Sequence, residues 1–393
     1  MGMLSGTRRG GAARVLGQGA GVQARIDELP RRRRTAKAYA NDEAIRTAAI
    51  AVMIDSGWDA MTFSEVARRA RLTVGAVYGR AESKAELGAD LWTSTLYPAL
   101  SGRVTELTAS ISAGQAPQVA TAMASWSRPS GALQAAVALS VAALFDEDLR
   151  EVIGRDMSGL LDEHCGTDGS RTSASAAATA LSIGAAFGRV LSADSGAKAV
   201  APSRSAAQRE IDMSLARGRG RALPRSPEVE FMRAPSTSDP HLDLLQMSAL
   251  DVIGRVGYRR ATVARICRLA QVSSGSMFAR FDSKAELVVS AAASMLVSRQ
   301  EQSRALKSVS KEAGPAVAQA MLLRGFLDPK AREQRALRLE LSRVARHEPA
   351  LQSIDVLGSA EQQSMLGLGL ASSYSDHLAD LPFAIALAAA SKA

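Results

Sequence analysis

Two sets of polar and cationic side chains recur in this chain at a separation of 200 residues. The sets are Thr73, Gly75, Arg80 and Lys84, and Ser273, Gly275, Arg280 and Lys284. Hydroxyl, guanidinium and ammonium groups donate hydrogen bonds to phosphate oxygens and to the edges of bases. A glycine among them lets the backbone come close to such a ligand. The pattern therefore favours the binding of a nucleic acid over the making or breaking of bonds.

Patterns typical of enzymes and metal sites are missing from the sequence. The histidines are isolated from one another and have no ligand spacing, and no nucleophile motif or phosphate loop occurs. His164 and Cys165 are neighbours, but adjacent residues point to different faces of a helix. Cys165 and Cys267 fall at unmatched positions, which favours small buried side chains over a disulfide or a zinc site. We therefore expect no catalysis, no cofactor and no metal.

The recurring residues belong to a longer duplication. Residues Gly57 to Leu87 align with Gly257 to Leu287 without a gap. The identical positions in the first copy are Gly57, Thr62, Arg68, Ala70, Gly75, Arg80 and the run from Ser83 to Leu87. An ungapped internal match of this length indicates two copies of one structural unit.

Each copy is predicted to form three short helices with defined caps. Thr62 caps a helix that ends near Arg71, and Glu65 is expected to complete a capping box. After a short turn, Thr73 caps a second helix, and Ser83 begins a third with another capping box. The equivalent caps of the second copy are Thr262, Ser273 and Ser283.

An amphipathic helix precedes each unit. The first is predicted from about Asn41 to Ser56 and ends at Gly57. The apolar stripe of the second is Leu244, Leu245, Ala249, Val252 and Ile253. Two short helices joined by a tight turn behind such a helix match the helix-turn-helix unit, whose second helix enters the major groove of DNA. The alternative is a three-helix packing unit without a ligand.

The two copies resemble the DNA-binding domain of the TetR (tetracycline repressor) family. The residues that carry the resemblance are Gly57, Thr62, Val66, Ala67, Gly75, Tyr78 and Ser83 to Leu87, and Gly257, Thr262, Ile266, Gly275, Phe278, Phe281 and Ser283 to Leu287. The resemblance implies an all-α fold with two TetR-like units, each a helix-turn-helix domain followed by a helical effector and dimerisation domain. The family's aromatic residue before the Ser-Lys pair is Phe281 in the second copy but Ala81 in the first. We expect Trp58 or Trp92 to fill that core position, or the first domain to be less stable.

Positions on the second helix of each unit predict the contacts with DNA bases. The residues assigned to base edges are Thr73, Val74, Ala76 and Gly79 in one copy, and Ser273, Ser274, Ser276 and Ala279 in the other. Gly75 and Gly275 would let the backbone approach. Because few of these side chains form bidentate contacts, most direct base recognition is assigned to Arg80 and Arg280.

Contacts with phosphates are assigned to three further side chains. The resemblance implies a phosphate contact for the Tyr78 hydroxyl, which Phe278 cannot make. Lys84 and Lys284 lie in the first turn of the next helix, where the helix dipole also attracts an anion. Both lysines are therefore predicted to clamp phosphates.

Composition and charge divide the remainder of the chain. We assign residues 1–40 to a basic arm, 41–92 to the first helix-turn-helix domain, 93–194 to the first effector and dimerisation domain, 195–240 to a basic linker, 241–292 to the second helix-turn-helix domain and 293–393 to the second effector and dimerisation domain. Residues 1–40 hold nine cations and two acids, and residues 198–235 hold eight cations and four acids. Positive charge thus precedes each unit, where basic arms would reach the minor groove or phosphates. A solubilising tail is the alternative.

The effector domains are predicted to be helical. Breaks are expected at Pro98, 113–117, 129–131 and 166–170, with apolar helices at Ala132 to Leu144 and Ser175 to Leu191. Their counterparts are a charged helix from Lys330 to Arg346 and a helix from Ser359 to Ala390, kinked at Pro382. A short linker helix from about Ser205 to Arg217 is a further possibility.

A small apolar effector is the second expected partner. Candidate pocket residues are Met123, Trp126, Phe145 and Phe187 in one half, and Met321, Phe326 and Phe383 in the other. The alternative is that these side chains are plain core. No apolar run is long enough to span a bilayer, and no signal peptide is evident, so we expect a cytoplasmic protein without a membrane partner.

The duplication suggests how the chain acts. TetR-family proteins usually bind palindromic operators as homodimers, and here one polypeptide carries both copies. The leading hypothesis is an intrachain pseudo-dimer that binds double-stranded DNA with unlike half-sites. A further homodimer of the whole chain is an additional expected partner, and the resemblance implies repression as the commoner mode of action. The alternative is a scaffold in which only one half still recognises DNA.

Overall fold

The structure is a computed structural model that describes residues 36–114, 116–166, 173–192, 239–293, 315–354 and 360–375, and the single positions 307, 311 and 378. Every described element is helical, so the predicted all-α class is confirmed. The residues from Ile45 onward form one compact unit. The packing described below concerns that unit.

The described helices follow the predicted order. The first half contains α1 (Ala36–Ala60), α2 (Phe63–Ala70), α3 (Val74–Tyr78), α4 (Lys84–Leu91), a π-helical turn (Trp92–Leu96), α5 (Tyr97–Ser112), α6 (Ala116–Ser125), α7 (Gly131–Ala142), α8 (Glu147–Cys165) and α9 (Ser173–Ser192). The second half contains α10 (Pro240–Val256), α11 (Val263–Leu269), α12 (Ser274–Phe278), α13 (284–293), α14 (Pro315–Leu327), α15 (Arg332–Ala345) and α16 (Ala360–Ser372).

The predicted caps are confirmed in both copies. At each capping position a side-chain oxygen accepts a hydrogen bond of 3.0 to 3.3 Å from the backbone N–H three residues on. The capping residues are Thr62, Thr73, Ser83, Thr262, Ser273 and Ser283. The predicted role of Glu65 in the first capping box is wrong, because its carboxylate pairs with Arg68 at 2.6 Å.

Glycine breaks the long helix in the same way in both halves. Gly57 has φ +81° and interrupts α1, and Gly257 has φ +80° and ends α10. These positive φ angles are readily adopted only by glycine, which explains why this position is identical in the two copies. The first helix begins at Ala36, earlier than the predicted Asn41.

Three expected features of the helices are corrected. Pro98 does not break the chain, because it lies in the first turn of α5, where its missing N–H costs no helical hydrogen bond. Leu244, assigned to the apolar stripe of α10, is 54% exposed. The helix predicted from Ser359 to Ala390 ends at Ser372 as α16. Pro382 and the possible helix from Ser205 to Arg217 lie outside the described residues.

The two halves meet where α9 crosses α16. Gly188 approaches Gln363, and a β-carbon added at Gly367 would lie 2.0 Å from the Gly184 oxygen and 2.4 Å from the Gly188 nitrogen. Such a distance leaves no room for any side chain, so the two backbones are in direct contact. Ser192 at the end of α9 also donates a hydrogen bond of 3.1 Å to Gln363.

The charged helix α15 is buried rather than solvated. Arg343 is 6% exposed and Glu340 is 1% exposed. The Arg343 guanidinium donates to the Asp59 carboxylate at 2.6 Å and to Glu340 at 2.9 Å. Glu340 also accepts a hydrogen bond of 2.7 Å from the Tyr258 backbone N–H. One buried cluster therefore links the turn after Gly57 in the first copy to the turn after Gly257 in the second.

Two further contacts join the halves, one at each glycine turn. The ring of His347, just beyond α15, lies against Gly57, where an added β-carbon would be 2.8 Å from Cδ2. Phe145, just beyond α7, lies against Gly257, where an added β-carbon would be 3.3 Å from Cγ. Each glycine turn is thus covered by a side chain that follows a helix of the opposite half.

We expect Gly367→Ala to lower the free energy of unfolding by about 3 kcal/mol or more, because the new methyl group collides with backbone that cannot move independently. Gly102→Ala is the matched control, since an added β-carbon meets nothing within 4 Å at that position of α5. The control should be neutral or stabilising by up to about 1 kcal/mol. Urea unfolding followed by circular dichroism measures both, and equal effects would contradict the close crossing.

Candidate nucleic-acid interface

The second helix of each helix-turn-helix unit presents one face outward. In the first copy the exposed positions are Thr73, Val74, Gly75, Tyr78 and Gly79, and in the second they are Ser273, Ser274, Gly275, Phe278 and Ala279. Ala76 and Ser276 are half-buried. Val77 and Met277 are both 0% exposed and anchor the helices to their units. The two short helices α3 and α12 are therefore accessible to a partner along equivalent faces.

The turn before each of these helices is also the same. Arg71 has φ +56° and Gln271 has φ +57°, in the left-handed region that non-glycine residues adopt at some cost. The next residues close the turn, because Leu72 N–H donates to Ala67 O at 2.9 Å and Val272 N–H donates to Cys267 O at 3.0 Å. Both copies thus keep the same tight turn although the residue types differ.

The aromatic residues that end these helices project into solvent. Tyr78 is 56% exposed and packs edge-on against Phe63, with 4.8 Å between ring centroids. Phe278 is 53% exposed. Exposed aromatic side chains on otherwise small-residue helices are costly in water, which favours a bound partner at this face.

The two arginines assigned to base recognition are not equivalent. The Arg80 guanidinium donates to Asp90 at 2.7 Å and its side chain is only 14% exposed. Asp90 also accepts from Arg46 at 3.2 Å. The Arg80 guanidinium is therefore held by a carboxylate of its own unit, and its assignment to base recognition stays a prediction. Arg280 is 36% exposed, but it too is paired, with Asp239 at 2.8 Å.

The duplication contains a signal that identifies this difference. Arg46 and Asp90 correspond to Gln246 and Ser290 in the second copy, where the Gln246 amide donates to the Ser290 hydroxyl at 2.8 Å. The second copy lacks the carboxylate that holds Arg80. A comparison of the two copies at these positions would have indicated that only Arg80 has a carboxylate partner at the position of Asp90.

The two lysines predicted to clamp phosphates also contact groups of their own units. The Lys84 amine donates to the Asp59 carbonyl at 3.1 Å and lies 4.6 Å from the Trp58 ring centroid. Lys284 donates to the Tyr258 carbonyl at 2.8 Å and lies 3.8 Å from the ring centroid of that tyrosine. Both lysines therefore fasten the third helix to the glycine turn of their own unit.

Burial changes the acid–base properties of these lysines. It lowers the pKa of Lys84 to about 8, although the nearby Asp59 carboxylate opposes the shift. Burial also lowers the pKa of Lys284. In both units the shift follows from the burial of the amine beside an aromatic ring of its own unit.

The predicted effector residues do not form one pocket per half. Met123, Trp126 and Phe187 are buried in the first core, with 6.0 Å between the two ring centroids. Phe145 lies apart from them against Gly257. In the second half, Met321 is half-buried, Phe326 is 3% exposed against Gly369, and Phe383 lies outside the described residues. Met123, Trp126, Phe187 and Phe326 are buried in one apolar core, and Phe145 is half-buried and packs against the same core.

A cavity of about 530 Å³ lies instead between the two helix-turn-helix units. The first unit contributes Trp58 and Lys84, the second contributes Arg259, and Phe145 and Arg343 come from the helical domains. Sequence reasoning identified only Phe145 and Lys84 among these residues. The others depend on contacts between distant parts of the chain.

The cysteines and the described acidic and histidine side chains do not form a further site. Cys165 and Cys267 are both buried, as predicted, and both are free thiols. Among the described residues, no three histidine, cysteine or carboxylate side chains come together as a metal site. No helix in the described ranges is long and apolar enough to cross a membrane.

Because Arg80 is more buried than Arg280, we expect substitution of the two residues to lower the free energy of unfolding by different amounts. Arg80→Gln should lower the free energy of unfolding by about 1 to 3 kcal/mol, because it leaves the half-buried Asp90 with one fewer charged partner. Arg280→Gln should change it by less than about 1 kcal/mol, because that ion pair is exposed. Chemical denaturation of the two variants measures the difference, and a larger effect of Arg280→Gln would overturn the assignment.

Comparison with known families agrees with this geometry. Residues 45–91 and 247–291 each match the family described as bacterial regulatory proteins, tetR family. No curated protein is detectably similar to the chain. The two matched segments contain the two helix-turn-helix units with their exposed helices α3 and α12. The chain therefore contains two TetR-like units in one polypeptide, each with the DNA-binding domain of tetR-family regulators.

Proposed function

We propose that the chain is a transcriptional regulator that binds one asymmetric DNA operator with both of its TetR-like halves and acts as a repressor. DNA binding itself follows from the family. The finer proposal is that the two halves form an intrachain pseudo-dimer. In a symmetric helix-turn-helix dimer, the recognition helices contact half-sites about 34 Å apart, one turn of the double helix.

The observation that carries the proposal is the equivalent exposure of two recognition helices on one compact body. α3 and α12 leave the same positions exposed, while Val77 and Met277 bury the same opposite position. The crossing of α9 with α16 and the cluster around Arg343 both join the halves. Two recognition helices held in this way favour one duplex over two independent ones.

Unlike half-sites follow from unlike recognition helices. Val74 is replaced by Ser274, and Tyr78 by Phe278. A serine hydroxyl forms hydrogen bonds with base edges, whereas valine packs against a thymine methyl group. Tyr78 carries a hydroxyl for a phosphate contact that its counterpart lacks. The operator should therefore be asymmetric in the bases that it presents.

The domain boundaries assigned from the sequence complete the proposal. The basic arm at residues 1–40 and the basic linker at 195–240 lie almost wholly outside the described residues. Each precedes a helix-turn-helix unit and would add phosphate contacts, which make the affinity for DNA fall steeply with salt.

A scaffold with one DNA-binding half is the second candidate. The pairing of Arg80 with Asp90 favours it, because the first recognition helix thereby loses its best donor for base recognition. The two candidates differ in how many half-sites the chain selects.

Selection of binding sites from random DNA separates the candidates when each half is disabled in turn. Val74→Glu and Ser274→Glu place a negative charge at the exposed first position of α3 and α12, where a glutamate favours the helix but repels DNA. Ala109→Glu, at an exposed position of α5, is the charge-matched control. Each test variant should weaken binding by at least about tenfold, a cost of about 1.4 kcal/mol.

The proposal predicts that the unmodified chain selects two unlike half-sites about one helical turn apart. Val74→Glu should abolish selection of one half-site and Ser274→Glu that of the other. A single half-site that responds to only one variant would support the scaffold. Absence of any selected sequence would contradict both candidates.

A further inference from the structure

The cavity between the two helix-turn-helix units has a mixed lining. Its deep part is formed by buried groups, which include Trp58, Gly257 and Glu340. Arg259 and Arg260 are exposed and form its mouth. Its volume of about 530 Å³ falls within the range of about 300 to 1,000 Å³ in which proteins bind small organic ligands.

The charges in the lining leave room for an anion. Four cationic side chains and three carboxylates line the cavity. Arg343 is neutralised by Asp59 and Glu340, and Arg260 pairs with Asp146 at 3.3 Å. Within the described part of the chain, Lys84 and Arg259 form no ion pair with a carboxylate. These two cations come from different halves of the protein.

Two aromatic side chains lie in the apolar part of the lining, beside Met61, Ala85, Ala142 and Val256. Trp58 belongs to the first helix-turn-helix unit and Phe145 to the end of α7. Planar rings pack favourably against other aromatic groups, by about 0.5 to 1.5 kcal/mol beyond the area that they bury. An aromatic body with a single negative charge would match both the aromatic and the cationic parts of the lining.

We infer that this cavity is a binding site for an organic monoanion with a planar aromatic body, such as an aromatic carboxylate. Its carboxylate is recognised by Arg259 and Lys84, and its rings pack on Trp58 and Phe145. The site lies between the two halves, away from the buried aromatic residues within each helical domain.

Occupancy of this site also regulates DNA binding, a step that rests on the proposed function. The ligand contacts the turn at Gly257 and the turn that carries Trp58, and each turn leads directly into the capped first helix of a helix-turn-helix unit. A ligand seated between them changes the separation or orientation of α3 and α12. Because the linkage of two binding events is reciprocal, DNA should change the affinity for the ligand by the same factor.

Calorimetric titration of the full chain with naphthoate tests the site without DNA. Neutral naphthamide is the matched ligand, and it should bind at least about tenfold more weakly. Arg259→Gln should lower the affinity for naphthoate by about tenfold and leave the affinity for naphthamide unchanged. Ala85→Met, which fills the cavity from the wall formed by α4, should lower the affinity for both ligands. Arg155 is an exposed arginine of α8 that does not line the cavity. Arg155→Gln is therefore the control, and it should change neither affinity.

The outcomes separate this inference from the proposed function. The proposed site would be contradicted if naphthoate did not bind. It would also be contradicted if the unmodified chain and the two cavity variants bound naphthoate with equal affinity. If the site is confirmed but naphthoate leaves the affinity for the selected operator unchanged, the regulatory step is wrong. If the chain selects no DNA while calorimetry gives the expected pattern, the proposed function fails and the ligand site remains.

Discussion

The arrangement of this protein depends on a single buried guanidinium. Arg343 lies almost wholly out of water between Asp59, which belongs to the first helix-turn-helix unit, and Glu340, which also holds the backbone of Tyr258 in the second. Burial alone would lower the pKa of Arg343, but the carboxylates of Glu340 and Asp59 raise it above its ordinary value. The group therefore stays charged, and its partners must stay in place.

Such a cluster does more for specificity than for stability. Desolvation of buried ions offsets most of their mutual attraction, whereas the loss of one partner leaves a buried charge without compensation. Any arrangement in which the two glycine turns move apart is therefore unfavourable, because it would separate these buried charges. The apolar contact of α9 with α16 stabilises the association, and the charges around α15 determine its register.

The internal duplication also shows which features are structural and which have diverged. The caps, the left-handed turns at Arg71 and Gln271, and the lysines that fasten the third helix are the same in both copies. The outward residues of α3 and α12 differ. The caps and turns that hold those faces are thus retained, whereas the faces themselves and the partners of Arg80 have diverged.

Local sequence signals predicted the three-helix units because their causes are local. A capping hydroxyl acts three residues away, and a glycine at positive φ acts at its own position. The contacts of Arg80 and Lys84 could not be predicted, because their partners, Asp90 and the Asp59 carbonyl, are brought to them by tertiary packing. The Arg343 contact joins residues 284 positions apart, and periodicity carries no information about such a pair.

The packing of the candidate pocket residues could not be predicted for the same physical reason. Met123, Trp126 and Phe187 have the composition of a pocket lining, but each fills space within its own helical domain. The cavity arises where two units of one chain meet. Only Phe145 among the residues predicted for a pocket lies at that boundary, and its position could not be inferred from a single half.

The central claim is that the two DNA-binding units are fixed relative to each other in the free protein. Spin labels at Glu82→Cys and Asp282→Cys, with Cys165 and Cys267 replaced by alanine, allow the distance between the units to be measured by pulsed electron resonance. The account predicts one narrow distance distribution that broadens when Arg343→Met is added. A broad distribution in the unsubstituted background, or one that Arg343→Met leaves unchanged, would contradict it.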